Sequence, residues 1–332
     1  MSVPGATPHV VRRAPWLKRN GRILLVYGVF LMLLLVYEQK APRFTEREWR
    51  SISNSGMTLA IAGLGQNVVV LTGGIDLSTG SMIGLTNSIV ATVGDEEHPD
   101  ERLALGIALA LLVGAAGGFV NGLLVAYGRL QPIIVTLATG YIMHGVALKV
   151  RSRPGGYVPF ERADLLTDLY RNVIPRSAFL LAALVIIWFL YRRTRLSREI
   201  IATGSAAGAA NLTGVNVART KLIAFTISGL VSAVAGVFLT AQTATGDPNS
   251  GTEYTLNSIA AVVLGGSSLA GGGGSFIGTI AGAYVLKTIS SILIFYEVSP
   301  FYQSFYQGLI LLATVALGAL GILRVRNRLE RV

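Results

Sequence analysis

Gly73-Gly74-Ile75-Asp76-Leu77-Ser78-Thr79-Gly80-Ser81 interrupts a stretch that is otherwise apolar from Met57 to Val93. A carboxylate at bilayer depth beside broken helix geometry is expensive, and such features mark a solute pathway or a special helix end. The stretch therefore directs the reading toward transport rather than catalysis. Spans on either side of it share so little sequence that each is short, and short glycine-interrupted segments point to a transporter's substrate path. The plainer role for Asp76 is to cap the third span, its oxygen accepting from the amide of Ser78 or Thr79. The two roles are compatible.

Working outward, apolar runs of spanning length recur along almost the whole chain of 332 residues, with 52% hydrophobic and 14% charged residues. Soluble domains carry about 25% charged residues, so the fold class is an all-α, polytopic integral membrane protein. Ten spans are predicted near 22–37, 56–72, 77–93, 103–127, 131–150, 177–191, 219–243, 256–270, 274–296 and 303–321. The absence of cysteine excludes disulfides, cysteine-ligated metal and thiol nucleophiles. Three histidines (His9, His98, His144) form no metal-spaced pair, so no metal site is expected. Nor is there a His/Asp/Glu cluster or a nucleophile with a base, which argues against a membrane enzyme. The first apolar stretch, Leu24–Val36, lacks a small-residue cleavage signal and reads as a retained span.

A net charge of +11 would suggest nucleic acid in a soluble protein. Here, with a cytoplasmic N-terminus, sixteen Lys/Arg fall in cytoplasmic segments and eleven outside. The acidic Asp95-Glu96-Glu97 loop also falls outside. This bias orients spans and places both termini in the cytoplasm. The basic excess then serves orientation and attraction to anionic membrane lipid, with no nucleic acid partner. The expected organisation is a basic arm over 1–21, a transmembrane domain over 22–321 and a basic tail over 322–332.

Four-residue spacing places Gly114, Gly118 and Gly122 on one face of the fourth span, and Gly274, Gly278 and Gly282 on one face of the ninth. Such faces allow close helix packing. The Gly271–Gly274 loop lacks the lysine of a phosphate-binding loop, so no nucleotide hydrolysis is expected in this chain. Val69-Val70-Leu71 followed by Gly73-Gly74-Ile75-Asp76-Leu77 is faintly echoed by Val262-Val263-Leu264-Gly265-Gly266-Ser267-Ser268-Leu269, with one gap at Thr72. Between spans six and seven, the segment 198–216 is rich in alanine, with Gly204 and Gly214 bracketing a short predicted helix. Too brief and polar to span, it suits a docking knob for a soluble partner. The plainer alternative is an amphipathic connector lying on the membrane.

Three ordered blocks then carry a resemblance: Gly73-Gly74-Ile75-Asp76-Leu77-Ser78, the Gly204–Gly214 loop, and Ser258-Ile259-Ala260-Ala261-Val262-Val263-Leu264-Gly265-Gly266-Ser267-Ser268-Leu269-Ala270-Gly271-Gly272. Together, over about residues 56 to 320, the chain resembles permease subunits of ribose-type monosaccharide ABC importers, in the wider ribose and branched-chain amino acid permease family. The resemblance implies two permease subunits, identical or paralogous, in a bacterial inner membrane. It also implies cytosolic ATPase subunits that use ATP and Mg, and an extracytoplasmic sugar-binding protein. This chain would hold no cofactor itself. By the same resemblance Ile201–Val215 is the coupling helix seated in an ATPase groove, with Ile201, Gly204, Ser205, Ala206, Ala207, Ala210, Asn211 and Gly214 as coupling residues. Two departures stand out. Ser205-Ala206-Ala207 replaces a polar or acidic residue common in that loop, and Asn257 stands where a carboxylate is common.

A sugar needs hydrogen-bond partners but no strong charge. The polar side chains expected along its path are Gln66, Asn67, Asp76, Ser78, Asn121 and Thr136, with Thr139 nearby; each can equally serve as a helix-to-helix hydrogen bond. Gln66 and Asn67 lie about 100° apart on a helix, so one of the two is expected to face a cavity. Lys287 is expected to snorkel to the interface, and Tyr141 and His144 to pack in the core. The rivals are a nucleoside or amino acid permease of the same family and an ion-coupled secondary transporter using Asp76.

Overall fold

The structure is a computed structural model that describes residues 16–40, 46–171 and 174–299, together with positions 302, 305, 306, 308, 309 and 312. Most of the basic arm, most of the tenth expected span and the tail 322–332 lie outside the described residues.

Helices dominate because apolar sequence satisfies its backbone internally only as helix or closed barrel when water is absent. In order they are α1 (Trp16–Lys40), α2 (Glu46–Leu71), α3 (Thr79–Val93), α4 (Pro99–Ala126), α5 (Pro132–Val150) and α6 (Phe160–Thr167). A two-residue hairpin, β1 (Leu169–Tyr170) and β2 (Ile174–Pro175), pairs antiparallel. Then come α7 (Arg176–Arg192), α8 (Arg195–Ser205), α9 (Ala207–Leu212), α10 (Val217–Thr243), α11 (Thr252–Leu264) and α12 (Phe276–Phe295). Nine of these helices overlie the first nine expected spans. By length and apolar composition, four suffice to cross a membrane: α4, α5, α10 and α12 up to Ile294. A fifth qualifies if α7 and α8, bent by 75°, count as one.

Helix α2 is the central post. Every residue from Gly56 to Thr72 is buried, as expected of a helix that is apolar all round, and α10, α11 and α12 pack around it. Helices α4 and α5 instead expose Leu109, Leu112, Ile134 and Ile142, a surface suited to lipid. Helices α3 and α11 are short, at 15 and 13 residues. At 1.5 Å per residue they reach only about 22 and 20 Å, less than the roughly 30 Å of hydrocarbon.

The α4 glycines meet α10. A Cβ on Gly118 would lie 3.0 Å from the Cα of Gly229, and one on Gly122 would lie 2.9 Å from the Cα of Leu222. Gly114 faces Ala233 and the Gly229 carbonyl. Gly278 and Gly282 of α12 face Gly265 and Ala261 at the end of α11. Gly274 lies ahead of α12 rather than on it, and its open side faces Ser267.

The expected coupling segment is two helices, not one. Helix α8 runs through Gly204 to Ser205, and α9 begins again at Ala207 after Ala206 turns extended at φ −161° and ψ 92°. Lys287, expected to reach the interface, holds an ion pair with a partly exposed partner. Its ammonium lies 2.7 Å from Glu253 in the first turn of α11 and 4.7 Å from the Tyr254 ring centre. Tyr141 is 73% exposed on α5 rather than packed in the core, and His144 beside it is half-buried.

Candidate functional site

The sequence break at Gly73 is a helix C-cap of defined geometry. The Gly73 amide donates to the Val70 carbonyl at 2.9 Å and the Gly74 amide to the Val69 carbonyl at 3.2 Å. Gly73 itself is left-handed at φ 80°. This is the paired-bond Schellman arrangement, which favours glycine at the left-handed position because a Cβ is penalised there. The end of α11 repeats it: Gly266 (φ 88°) donates to Val263 at 2.9 Å and Ser267 to Val262 at 3.1 Å. The faint echo between the two blocks is therefore one capping motif used twice, with Thr72 matched to Gly265 and no gap.

Between Gly74 and α3, Asp76 forms a turn two residues ahead of Ser78, the residue before the helix. Its Oδ1 accepts from the Ser78 amide at 2.9 Å and the Ser78 hydroxyl at 2.6 Å. Its Oδ2 accepts from the Ser228 hydroxyl of α10 at 2.8 Å. Ser78, not Asp76, occupies the cap position of α3. The network continues as Asn121 donates to Ser78 Oγ at 2.9 Å and accepts from the Thr139 hydroxyl at 2.6 Å. Thr136 accepts from the Leu77 amide at 2.9 Å. Oriented with its nitrogen toward the Asp76 carbonyl, the Gln66 carboxamide donates there at 2.9 Å and accepts from the Asp76 amide at 3.2 Å.

Five of the six expected path residues, Gln66, Asp76, Ser78, Asn121 and Thr136, thus meet in one buried knot joining α2, α3, α4, α5 and α10. Asn67 does not join them. Its carboxamide nitrogen donates to Ser267 and Thr279, each at 2.8 Å, tying α2 to the second break. The 100° between Gln66 and Asn67 thus serves two different breaks, and both side chains are fully buried. All six residues are at most 3% exposed. Ser228 was not singled out in the sequence. Its only signal is a small hydroxyl beside Gly229, where α10 packs against α4.

A concavity of about 650 Å³ opens elsewhere, between the α4–α5 turn, α9 and the start of α10. Its polar lining is Arg129, Gln131, Asn211, Asn216 and Lys221, and none of the six path candidates borders it. Beside it α9 is presented outward. Leu212 is 90% exposed and Ala206, Ala207 and Asn211 are exposed, whereas Ala210 is buried. Helix α8 packs inward through Ile200 and Thr203 while Ile201 and Ser205 are exposed. Among the described residues no group of three His, Asp or Glu side chains is placed to hold a metal ion.

A buried knot of hydrogen bonds, paired helix breaks and an outward-facing short helix together fit a transporter subunit. Residues 50–315 match the family described as branched-chain amino acid transport system / permease component, and the chain belongs to that family. It is 34% identical over 291 residues to the ribose import permease protein of Escherichia coli strain K12, covering 86% of this chain and 90% of that one. The corresponding ribose permease of Bacillus subtilis strain 168 is 35% identical over 303 residues, with 87% and 90% covered. The galactose/methyl galactoside import permease protein of Salmonella typhimurium strain LT2 is 30% identical over 324 residues, with 92% and 95% covered. No solved structure matches the chain.

Proposed function

We propose that this chain is the membrane-spanning permease subunit of an ATP-driven importer for a monosaccharide, a ribose-like pentose or a hexose. The observation that carries the reading is similarity along nearly the whole chain to permeases named for ribose and galactose. Ten spans with both termini cytoplasmic, in a bacterial inner membrane, complete the arrangement. ATP and Mg are used by a separate cytosolic ATPase, and an extracytoplasmic binding protein delivers the sugar.

The buried knot supports a path between two permease copies rather than through one. Its polar groups are already spent on one another, so a solute would have to break several bonds to pass among them. Lost hydrogen bonds to buried groups cost about 1–3 kcal/mol each, and a path past them would be slow. The exposed α9, with Leu212 at its tip, is the surface offered to the ATPase.

The test is reconstitution in proteoliposomes with an ABC ATPase and a binding protein of the same transporter, measuring uptake of labelled ribose and galactose. ATP-dependent accumulation of one of them is expected. Accumulation driven by an ion gradient with no ATPase present would instead identify a secondary transporter.

A further inference from the structure

One side of the α8 tip packs against the two helix breaks while Ser205 stays exposed, and this assigns Gly204 a role different from docking. Gly204 points toward the carbonyl of Leu71, the last residue of α2. A Cβ there would collide with that oxygen and lie 2.6 Å from the Gly272 amide nitrogen. The same Gly272 amide donates to the Leu71 carbonyl at 3.0 Å. A Cβ on Gly271 would lie 2.8 Å from the Gly73 nitrogen and 2.9 Å from the Gly204 carbonyl. Gly271 and Gly272 are left-handed, at φ 88° and 72°. Three stretches of backbone, from α8, from the α2 break and from the loop after α11, therefore meet closely, with the Ser205 hydroxyl against Gly272.

We propose that Gly204 is a positioning residue: it lets the coupling segment seat directly on the paired breaks, so that α8, the end of α2 and the Ala270–Gly272 loop move as one body. This rests on the importer reading above. The physical basis is that close-packed interiors are hardly compressible and transmit displacement. Backbone held to backbone by a hydrogen bond has no rotamer to absorb it. Movement imposed on the exposed α9 passes through Ala206 and Ser205 to Gly204, then to Leu71 and Gly73. From there it reaches the Asp76 knot, which grips α3, α4, α5 and α10. The same displacement reaches Ser267, and through it Asn67.

The test compares Gly204→Ala with Gly28→Ala in the reconstituted importer. Gly28 lies on α1, away from the coupling segment, and has nothing within 4 Å of its Cβ position. Expected is that G204A still assembles with the ATPase and hydrolyses ATP, while sugar moved per ATP falls roughly tenfold or more, since ångström misplacement at a working site has effects of that order. G28A should match wild type. A G204A importer with the wild-type ratio of sugar to ATP would overturn the proposal and leave the importer reading intact. Wild-type protein that moves no sugar with its ATPase would overturn the reading instead.

Should G204A fail to assemble, hydrogen exchange on the wild-type complex decides the matter. The Gly272 amide is expected to stay protected both at rest and during ATP turnover. Rapid exchange only during turnover would show that the joint opens, and would overturn a body that moves as one.

Discussion

Replacing Asp76 by asparagine keeps an oxygen that accepts from the Ser78 amide and hydroxyl, and Ser228 can rotate its hydroxyl to accept from the new NH₂. Asp76→Asn is therefore expected to retain assembly and most of the transport. Asp76→Leu leaves three buried donors unpaired and should lose about 3–9 kcal/mol, at roughly 1–3 kcal/mol per orphaned group. Thermal unfolding in detergent measures both. Complete loss of uptake in a well-assembled Asp76→Asn protein would show that the charge has a chemical role. Lys287→Met removes the partner of Glu253, whose side chain is 44% exposed and can rehydrate. The expected loss is thus near 1 kcal/mol, the ordinary worth of a partly exposed ion pair, far below that of a fully buried one.

The α4–α10 contact depends on an absent side chain. Gly118→Val would force the two helices apart and should cost about 1–3 kcal/mol or more from overpacking. Gly145→Ala on α5, with nothing within 4 Å, should be neutral. Detergent-solubilised yield and melting temperature separate the two. On α9, Leu212→Asp is expected to weaken ATPase association by about 10- to 100-fold, corresponding to the 1.5–3 kcal/mol of burying a leucine. The permease's own melting temperature should not move. Beyond the membrane, Arg162 of α6 holds Asp100 of α4 in two bonds of 2.7 and 2.8 Å. Those bonds keep the Asp100 carboxyl below the ordinary range. A depressed carboxyl contributes above its unfolded value of about 3.9, and the contribution fades as pH falls through the lower folded value. A spin label at Leu165→Cys, specific because the chain has no cysteine, should gain mobility only below about pH 4.

Taken together, the molecule places its hydrogen-bonding capacity at the ends of α2 and α11 and leaves apolar faces on α4 and α5. That division follows from solvent: polar groups inside a bilayer-embedded fold must find partners within the protein, while lipid accepts leucine and isoleucine without cost. A single copy closed in this way calls for a second to frame a route. Cross-linking of the permease in native membranes is accordingly expected to yield a dimer of permease chains. A monomer that imports sugar with its ATPase would remove the path between copies.

Hydrophobic run length, charge asymmetry and the three glycine-marked blocks were legible along the chain, because bilayer thickness, helix pitch and backbone geometry act on near neighbours in sequence. They carried the class of the protein, the helical architecture and the positions of both breaks. Which polar side chains meet was not legible. Asn67 and Gln66 are adjacent yet serve breaks almost two hundred residues apart, and Ser228 and Lys287 found partners that no local pattern announces. The division of the coupling segment into an inward α8 and an outward α9 likewise depends on Leu71 and Gly272 arriving from elsewhere. Side-chain pairing across a bundle is set by how helices rotate and approach one another, a property of the packed whole that periodicity along one helix does not encode.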